Sequence, residues 1–205
     1  MCSSDLMHHP GQLNRRATDY LREYSNAQGS LATDSVPSVV LQNWKPPTGQ
    51  LYKLNFDVTV FANGAGIGVV IRNATGEVMA ALSARGAAVN DSEEAEAIAC
   101  WSALEFAIDA GFSELIIEGD NATVMSAVSS SSPNWSRLGV IYDDVCCLAA
   151  GLRHVVFSCI RRSANSVAHS LARYANVLDG EVVWLEESPP PACEALLFDS
   201  SFINE

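Results

Sequence analysis

Three carboxylates stand at positions in the sequence where an acidic side chain is unexpected. Asp57 lies on the polar face of an alternating segment typical of a β-strand, and aspartate is a poor strand former. Glu96 lies on a stripe of small apolar residues in a predicted helix, where an unbalanced charge is costly. Asp120 comes soon after a short apolar strand. Each also has a structural explanation, as a solvent-facing strand residue, an exposed first-turn residue and a helix N-cap respectively.

The spacing of these carboxylates is suited to a single shared site. Glu96 follows Asp57 by 39 residues and Asp120 follows Glu96 by 24, with a suitable element in each interval. If the strands that carry Asp57 and Asp120 are neighbours, the helix between them can bring Glu96 to both. Three converging carboxylates repel one another unless cations lie between them. A pair of Mg²⁺ ions, which prefer oxygen ligands, would balance the charge and support phosphodiester hydrolysis.

The elements that must position these carboxylates are predicted from periodicity and turn residues. Alternation and a turn at Asn73–Gly76 predict an antiparallel meander of three strands, which is followed by strands separated by helices. The strands are predicted over residues 51–61, 66–71, 77–84, 115–117 and 154–160, and the helices over 91–110, from about 120 to 129, 136–150 and 164–175. This order predicts an α/β fold with one mixed five-stranded sheet flanked by helices.

The chain is predicted to have three parts. Residues 1–43 form an extension and linker, in which apolar residues between Leu13 and Tyr24 recur at helical spacing. Residues 44–185 form the main domain, which begins after a stiff, proline-containing entry. Residues 186–205 form a tail that contains Pro189–Pro191, and we expect this tail to be poorly ordered.

Composition and charge restrict the classes of function that this protein can have. Apolar residues make up 48% of the 205 residues, so a packed core is expected. The net charge of −12 disfavours a general electrostatic attraction to nucleic acid or to an acidic membrane. One segment is basic although the chain as a whole is acidic. It runs from Val145 to Leu178, has no acidic residue and contains Arg153, Arg161, Arg162 and Arg173. This segment is suited to contact backbone phosphates.

The sequence points to an intracellular protein. Its apolar runs are shorter than the roughly 18 residues needed to span a bilayer, so no membrane association is expected. The first residues lack the apolar segment of a secretory signal. Its six cysteines form no C-x-x-C pair, which favours reduced thiols and no disulfide-linked partner. The sequence does not distinguish the nucleus from the cytoplasm.

Motifs along the chain match those of a known family in type and order. They are Trp44–Pro47 leading to Lys53–Asp57, then Gly66–Arg72, Ala95–Ala97, Glu118–Asp120 and Arg162–Ala172. With these motifs the sequence resembles the ribonuclease H (type 1) domain, and more narrowly the plant reverse-transcriptase-like proteins related to retroelement polyproteins. The resemblance runs from Trp44 to about Trp184. It implies the ribonuclease H-like fold.

The resemblance also implies an activity and a set of site residues. The activity is Mg²⁺-dependent endonucleolytic cleavage of the RNA strand of RNA–DNA hybrids, with Mn²⁺ as a possible substitute. The metal ligands would be Asp57, Glu96 and Asp120, the same three that the spacing selects. A fourth catalytic position falls on His169, and Arg162 and Asn165 would bind the nucleic acid. We expect the protein to be a monomer.

Three departures from the family pattern leave alternatives open. At the fourth position the family often has aspartate, where this chain has His169. The family also has a histidine near the site, which is replaced here by Cys159. The residue after the first aspartate is usually small, and here it is Val58. The loss of that histidine predicts slower turnover. The main alternative is therefore a catalytically weak or inactive retroelement-derived module that binds nucleic acid. A related nuclease on the same fold, such as a resolvase or an exonuclease, is a further alternative.

Overall fold

The computed structural model describes residues 42–130 and 134–203. In these ranges the strands are β1 (Tyr52–Phe61), β2 (Gly64–Arg72), β3 (Val78–Gly86), β4 (Glu114–Gly119), β5 (His154–Cys159) and β6 (Glu181–Leu185). The α-helices are α1 (Ser92–Asp109), α2 (Ala122–Ser129), α3 (Gly139–Ala150), α4 (Ser166–Tyr174) and α5 (Cys193–Ser200). None of the described helices is long and apolar enough to cross a membrane. The predicted helix between Leu13 and Tyr24 lies outside the described residues.

The strands form one mixed sheet in the order β5-β4-β1-β2-β3-β6. The pairs β1–β2, β2–β3 and β3–β6 are antiparallel, whereas β1–β4 and β4–β5 are parallel. The prediction of a mixed sheet that begins with an antiparallel meander is confirmed. The predicted count of five strands is wrong by one, because β6 adds an edge strand to β3.

The central strand β2 is buried along its whole length because helices cover both faces of the sheet. Helix α4 lies especially close to this strand. A Cβ atom at Gly68 would collide with the carbonyl oxygen of Ala168, so only glycine permits this approach. The position of α4 relative to β2 is therefore constrained by direct backbone contact.

Most of the buried apolar residues form one large and one smaller layer on opposite faces of the sheet, and a third, small cluster contains Trp44, Ile160 and Ala164. The larger layer packs α1, α2 and α3 against residues such as Leu54, Phe56 and Ile117. The smaller layer packs α4 against Val70 and Ala81 and includes Ala192, which lies just before α5. The alternation of β2 divides its side chains between the two layers, since Val69 and Ile71 enter the larger layer and Val70 enters the smaller one.

The described part of the predicted tail, residues 186–203, is ordered, so the prediction of a poorly ordered tail is wrong for these residues. Pro190–Ala192 forms a 3₁₀ turn that leads into α5, and prolines are favourable at such helix starts. Asp199 of α5 reaches Arg72 of β2, with 2.6 Å between its Oδ2 and the arginine Nη1. Both side chains are buried, and the Arg72 guanidinium also stacks 3.5 Å from the centre of the Trp44 ring. This buried ion pair attaches the segment to the sheet.

Removing the carboxylate of Asp199 is expected to destabilise the whole domain. Asp199→Ala leaves the buried Arg72 charge without its ion-pair partner, which should lower the free energy of unfolding by about 3–5 kcal/mol. Urea unfolding followed by circular dichroism measures this loss. The control Glu194→Ala removes an exposed carboxylate from the same helix and should change stability by less than about 0.5 kcal/mol. Equal stabilities of the two variants would contradict the structural role of the pair.

Candidate active site

The topology brings the three predicted carboxylates together beside the parallel inner strands β1 and β4. In the parallel pairing of β1 with β4, Asn55 lies opposite Glu118. Asp57 and Asp120 each follow this pair by two residues, and α1 brings Glu96 beside them. One carboxylate oxygen from each of the three residues lies within 4.8 Å of the other two. The predicted convergence is therefore present in the structure.

The structural explanations considered for these residues do not hold. Asp57 is 3% exposed and Glu96 is 8% exposed, so neither faces solvent. The N-cap of α2 is Asn121, whose Oδ1 accepts hydrogen bonds from the backbone amides of Thr123 and Val124. Asp120 therefore does not cap this helix, and its carboxylate belongs to the cluster.

The cluster is electrostatically unbalanced in the absence of a cation. Burial, and then the charges of Asp57 and Asp120, raise the pKa of Glu96 to about 8, and Arg162 only partly opposes this shift. Burial is also the main cause that raises the pKa of Asp57. The Oε2 atom of Glu96 is buried without a hydrogen-bond partner among the described residues. Three converging carboxylates with such an unpaired oxygen fit a divalent cation with oxygen ligands.

His169 lies directly against this cluster. Its Nδ1 atom is 2.6 Å from Oδ2 of Asp57, and Nη2 of Arg162 is 3.4 Å from the same nitrogen. The side chain is 26% exposed, so part of the imidazole is accessible to solvent. The fourth predicted position is thus in contact with the first.

Asn165 anchors the helix that carries His169. Its Nδ2 donates a hydrogen bond of 2.8 Å to the carbonyl oxygen of Phe56, the residue before Asp57. Asn165 is 1% exposed, and its main observed contact is with the protein backbone. This contact holds α4 against β1. The binding of nucleic acid by Asn165 stays a prediction.

An open groove of about 290 Å³ gives access to the carboxylates. Its lining includes the three carboxylates and Arg162, together with Val58, which departs from the family pattern, and three residues that the sequence did not indicate: Thr59, Val60 and Ser92. The alternation of β1 could have identified Thr59, since it follows Asp57 by two residues on the same face. Val58 also packs against the larger apolar layer, which explains its bulk.

Cys159 lies at the end of β5, opposite Gly119 in the strand pairing. Burial and the nearby charge of Asp120 raise the pKa of its thiol. At neutral pH the side chain is therefore a neutral thiol. It cannot supply the proton-transfer capacity of a histidine near this position.

The strand order and the carboxylate cluster together define a class of protein. A mixed sheet in this strand order, with an acidic cluster beside its central strand, is the architecture of ribonuclease H-like proteins. Residues 55–175 match the reverse transcriptase-like family, and the chain belongs to that family. No curated protein matches the chain at a significant level.

Solved structures support the same assignment of fold. Ribonuclease H1 from the halophilic archaeon Halobacterium salinarum NRC-1 is 25% identical, with a TM-score of 0.56, and the match covers 62% of this chain and 97% of that one. The N-terminal ribonuclease H domain of a Mycobacterium tuberculosis protein is 22% identical, with a TM-score of 0.53 and coverages of 62% and 94%. LC11-RNase H1, in complex with an RNA/DNA hybrid, is 22% identical, with a TM-score of 0.53 and coverages of 60% and 95%. The fold is thus that of ribonuclease H.

The raised pKa of Glu96 makes the stability of the metal-free protein depend on pH. The pKa rises from 4.5 to about 8 on folding, so the stabilisation by neutral Glu96 is complete below pH 4.5 and is lost as pH rises through 8. Glu96→Gln removes this titration. The variant should be more stable than wild type at about pH 9 and similar to it at about pH 4.

This difference is measured by urea unfolding across the pH range in the presence of a chelator. Glu105→Gln makes the same substitution on α1 outside the cluster and should keep the pH dependence of the wild type. Parallel stability profiles for Glu96→Gln and wild type would show that burial of Glu96 does not oppose its ionisation.

Proposed function

We propose that this protein is a ribonuclease H that cleaves the RNA strand of RNA–DNA hybrids with the help of divalent metal ions. The observation that carries the proposal is the cluster of Asp57, Glu96 and Asp120, whose oxygens converge within 4.8 Å at the edge of an open groove. The family membership supports this activity. A protein of the same fold was solved with an RNA/DNA hybrid, which supports the class of substrate.

Asp57, Glu96 and Asp120 are the residues that would hold the metal. Their carboxylates favour Mg²⁺, and Mn²⁺ is a possible substitute because it also accepts oxygen ligands. When bound, such ions lower the pKa of water and stabilise the charge that develops on the leaving oxygen. The parallel pairing of β1 with β4 keeps Asp57 and Asp120 at a fixed separation, so the site is prepared before substrate binds.

The other proposed roles belong to His169, Arg162 and Asn165. His169 contacts Asp57 and orients its carboxylate. Arg162 lies in the wall of the groove, where its guanidinium can form paired hydrogen bonds with a backbone phosphate. Asn165 holds α4 against β1. Because the net charge is −12, this local arginine, and not the general charge of the protein, would attract the substrate.

Replacement of the first ligand tests the activity. Asp57→Asn should abolish cleavage of a labelled RNA–DNA hybrid in Mg²⁺ and in Mn²⁺, because it removes a carboxylate from the cluster. Circular dichroism and thermal unfolding establish that the variant is folded. Asp109→Asn removes the same charge from an exposed position at the end of α1 and should cleave at the rate of the wild type. A folded Asp57→Asn variant that still cleaves would refute the assignment.

A non-catalytic module that binds hybrids is the second candidate, and Cys159 and His169 favour it. The thiol cannot replace a histidine in proton transfer, and the imidazole occupies a position that is often a carboxylate in the family. In that case a well-folded wild type would bind hybrid in the presence of a chelator and cleave in neither metal. A metal-dependent cleavage that is lost in Asp57→Asn would exclude this candidate.

The oligomeric state, cellular location and ancestry of the protein can also be proposed. We propose a monomeric intracellular protein of plant retroelement ancestry, in which residues 1–43 are an extension to the domain that begins at residue 44. The segment from residue 186 to 203 is grouped with this domain, since Asp199 forms its buried ion pair with Arg72.

A further inference from the structure

We propose that the outer edge of β6 is a docking site for a partner protein, which adds an extended apolar segment with basic residues at its ends as a further strand of the sheet. β6 lies outside residues 55–175, which match the family, so this edge belongs to the part of the chain beyond that match. The inference does not depend on the carboxylate cluster or on the proposed activity.

The first support is the row of backbone groups along β6. β6 is the last strand of the sheet, and no described strand pairs with its outer side. The amide of Glu186 donates a hydrogen bond to the carbonyl oxygen of Met79 in β3. Because the pair is antiparallel, bonding to β3 alternates along β6 and falls on its even-numbered residues. The residues whose amide and carbonyl groups face outward are therefore Glu181, Val183 and Leu185.

The second support is that this edge lacks the features that usually prevent pairing. Exposed edges are commonly blocked by proline, lysine or a β-bulge. β6 contains neither proline nor lysine, its register with β3 is uninterrupted, and its single charged residue, Glu181, stands at its end. Val183 is 44% exposed and Leu185 is 61% exposed. They lie opposite Leu82 and Ala80 of the larger apolar layer, so apolar residues of an added strand can continue that layer.

The charge around β6 identifies the kind of partner. Residues 178–188 contain four acidic residues and no basic residue. All four are exposed, and none of them forms an ion pair with another described residue. A strand with lysine or arginine at its ends would gain opposite-charge contacts here. The four residues are Asp179, Glu181, Glu186 and Glu187.

The same charges disfavour a second copy of this chain as the occupant. Two β6 strands paired antiparallel about Val183 would place Asp179 of each copy opposite Glu187 of the other. Like charges directly opposite each other destabilise a strand pair. The edge is therefore suited to a basic partner of a different sequence.

A synthetic peptide of alternating valine and threonine, with lysine at both ends, serves as the probe. Two control peptides match it in length. In one of them glutamate replaces lysine, and in the other proline replaces threonine, which prevents strand pairing. Titration against the full chain at fixed ionic strength should show that the lysine peptide binds at least about tenfold more tightly than either control.

Amide hydrogen exchange, followed by nuclear magnetic resonance, locates the bound peptide. In the free chain the outward amides of Val183 and Leu185 should exchange rapidly, whereas the amide of Trp184 faces β3 and should be protected. The lysine peptide should slow exchange at Val183 and Leu185 by about tenfold or more, because it gives these amides hydrogen-bond partners.

A proline substitution tests the role of the backbone. Val183→Pro removes an outward amide and takes no donor from the pairing with β3, so it should weaken binding of the lysine peptide by about tenfold or more. Val183→Thr keeps the amide and should bind as wild type does. A protected Trp184 amide shows that β6 remains paired in each variant.

A charge reversal tests the recognition of basic residues and stands even if Val183→Pro unpairs β6. Glu181→Lys/Glu187→Lys should reduce the preference for the lysine peptide over the glutamate peptide by about tenfold or more. Asp143→Lys/Asp144→Lys makes the same change in charge on the exposed face of α3 and should leave that preference nearly unchanged.

Three results would overturn the inference. The first is equal binding of the lysine and glutamate peptides, and the second is protection of amides elsewhere without protection at Val183 and Leu185. The third is protection of these two amides in the free chain, because the edge is then covered by the chain itself or, if sedimentation shows dimers, by a second copy. None of these results would affect the proposed activity, which is tested separately through Asp57.

Discussion

The site depends on one polar contact between the two parallel strands that carry its first and third carboxylates. Nδ2 of Asn55 donates a hydrogen bond of 2.9 Å to Oε2 of Glu118, and Lys53 donates one of 2.6 Å to the other oxygen. Asn55 and Glu118 are buried, so this contact is protected from water. A slip of one residue in β1 would turn Asn55 and Asp57 to the opposite face of the sheet. The register of the strands and the geometry of the carboxylates are thus set together.

The same contact connects the site to distant parts of the domain. Oδ1 of Asn55 accepts hydrogen bonds from the indole of Trp44 and from the guanidinium of Arg72. Arg72 in turn binds Asp199 in α5. The entry to β1, the centre of the sheet and the final helix therefore share one buried polar network. Such a network specifies a single arrangement because each member would be costly to leave unpaired.

Much of the site was predictable because it depends on strong local patterns. The alternation of β1, the capped α1 and the apolar β4 fix the order of the elements, and that order brings Asp57, Glu96 and Asp120 together. The positions of β6, α5 and Asn165 depend instead on tertiary contacts. The short edge strand β6 pairs with β3, and α5 carries the buried Asp199 that pairs with Arg72, so both elements are placed by contacts with distant parts of the chain. The burial of Asn165 likewise depends on the carbonyl oxygen of Phe56, which no sequence pattern reveals.

The pairing of Arg72 with Asp199 also affects how the chain is made. The two partners are separated by 127 residues, so on a ribosome the arginine is synthesised long before its counter-charge exists. During that interval, burying β2 would enclose the Arg72 guanidinium without its ion-pair partner, which is unfavourable. The strands and helices made first can associate only loosely until α5 has emerged. Folding of this domain is therefore expected to be completed late in translation, and a chain released before residue 199 would be open to proteolysis.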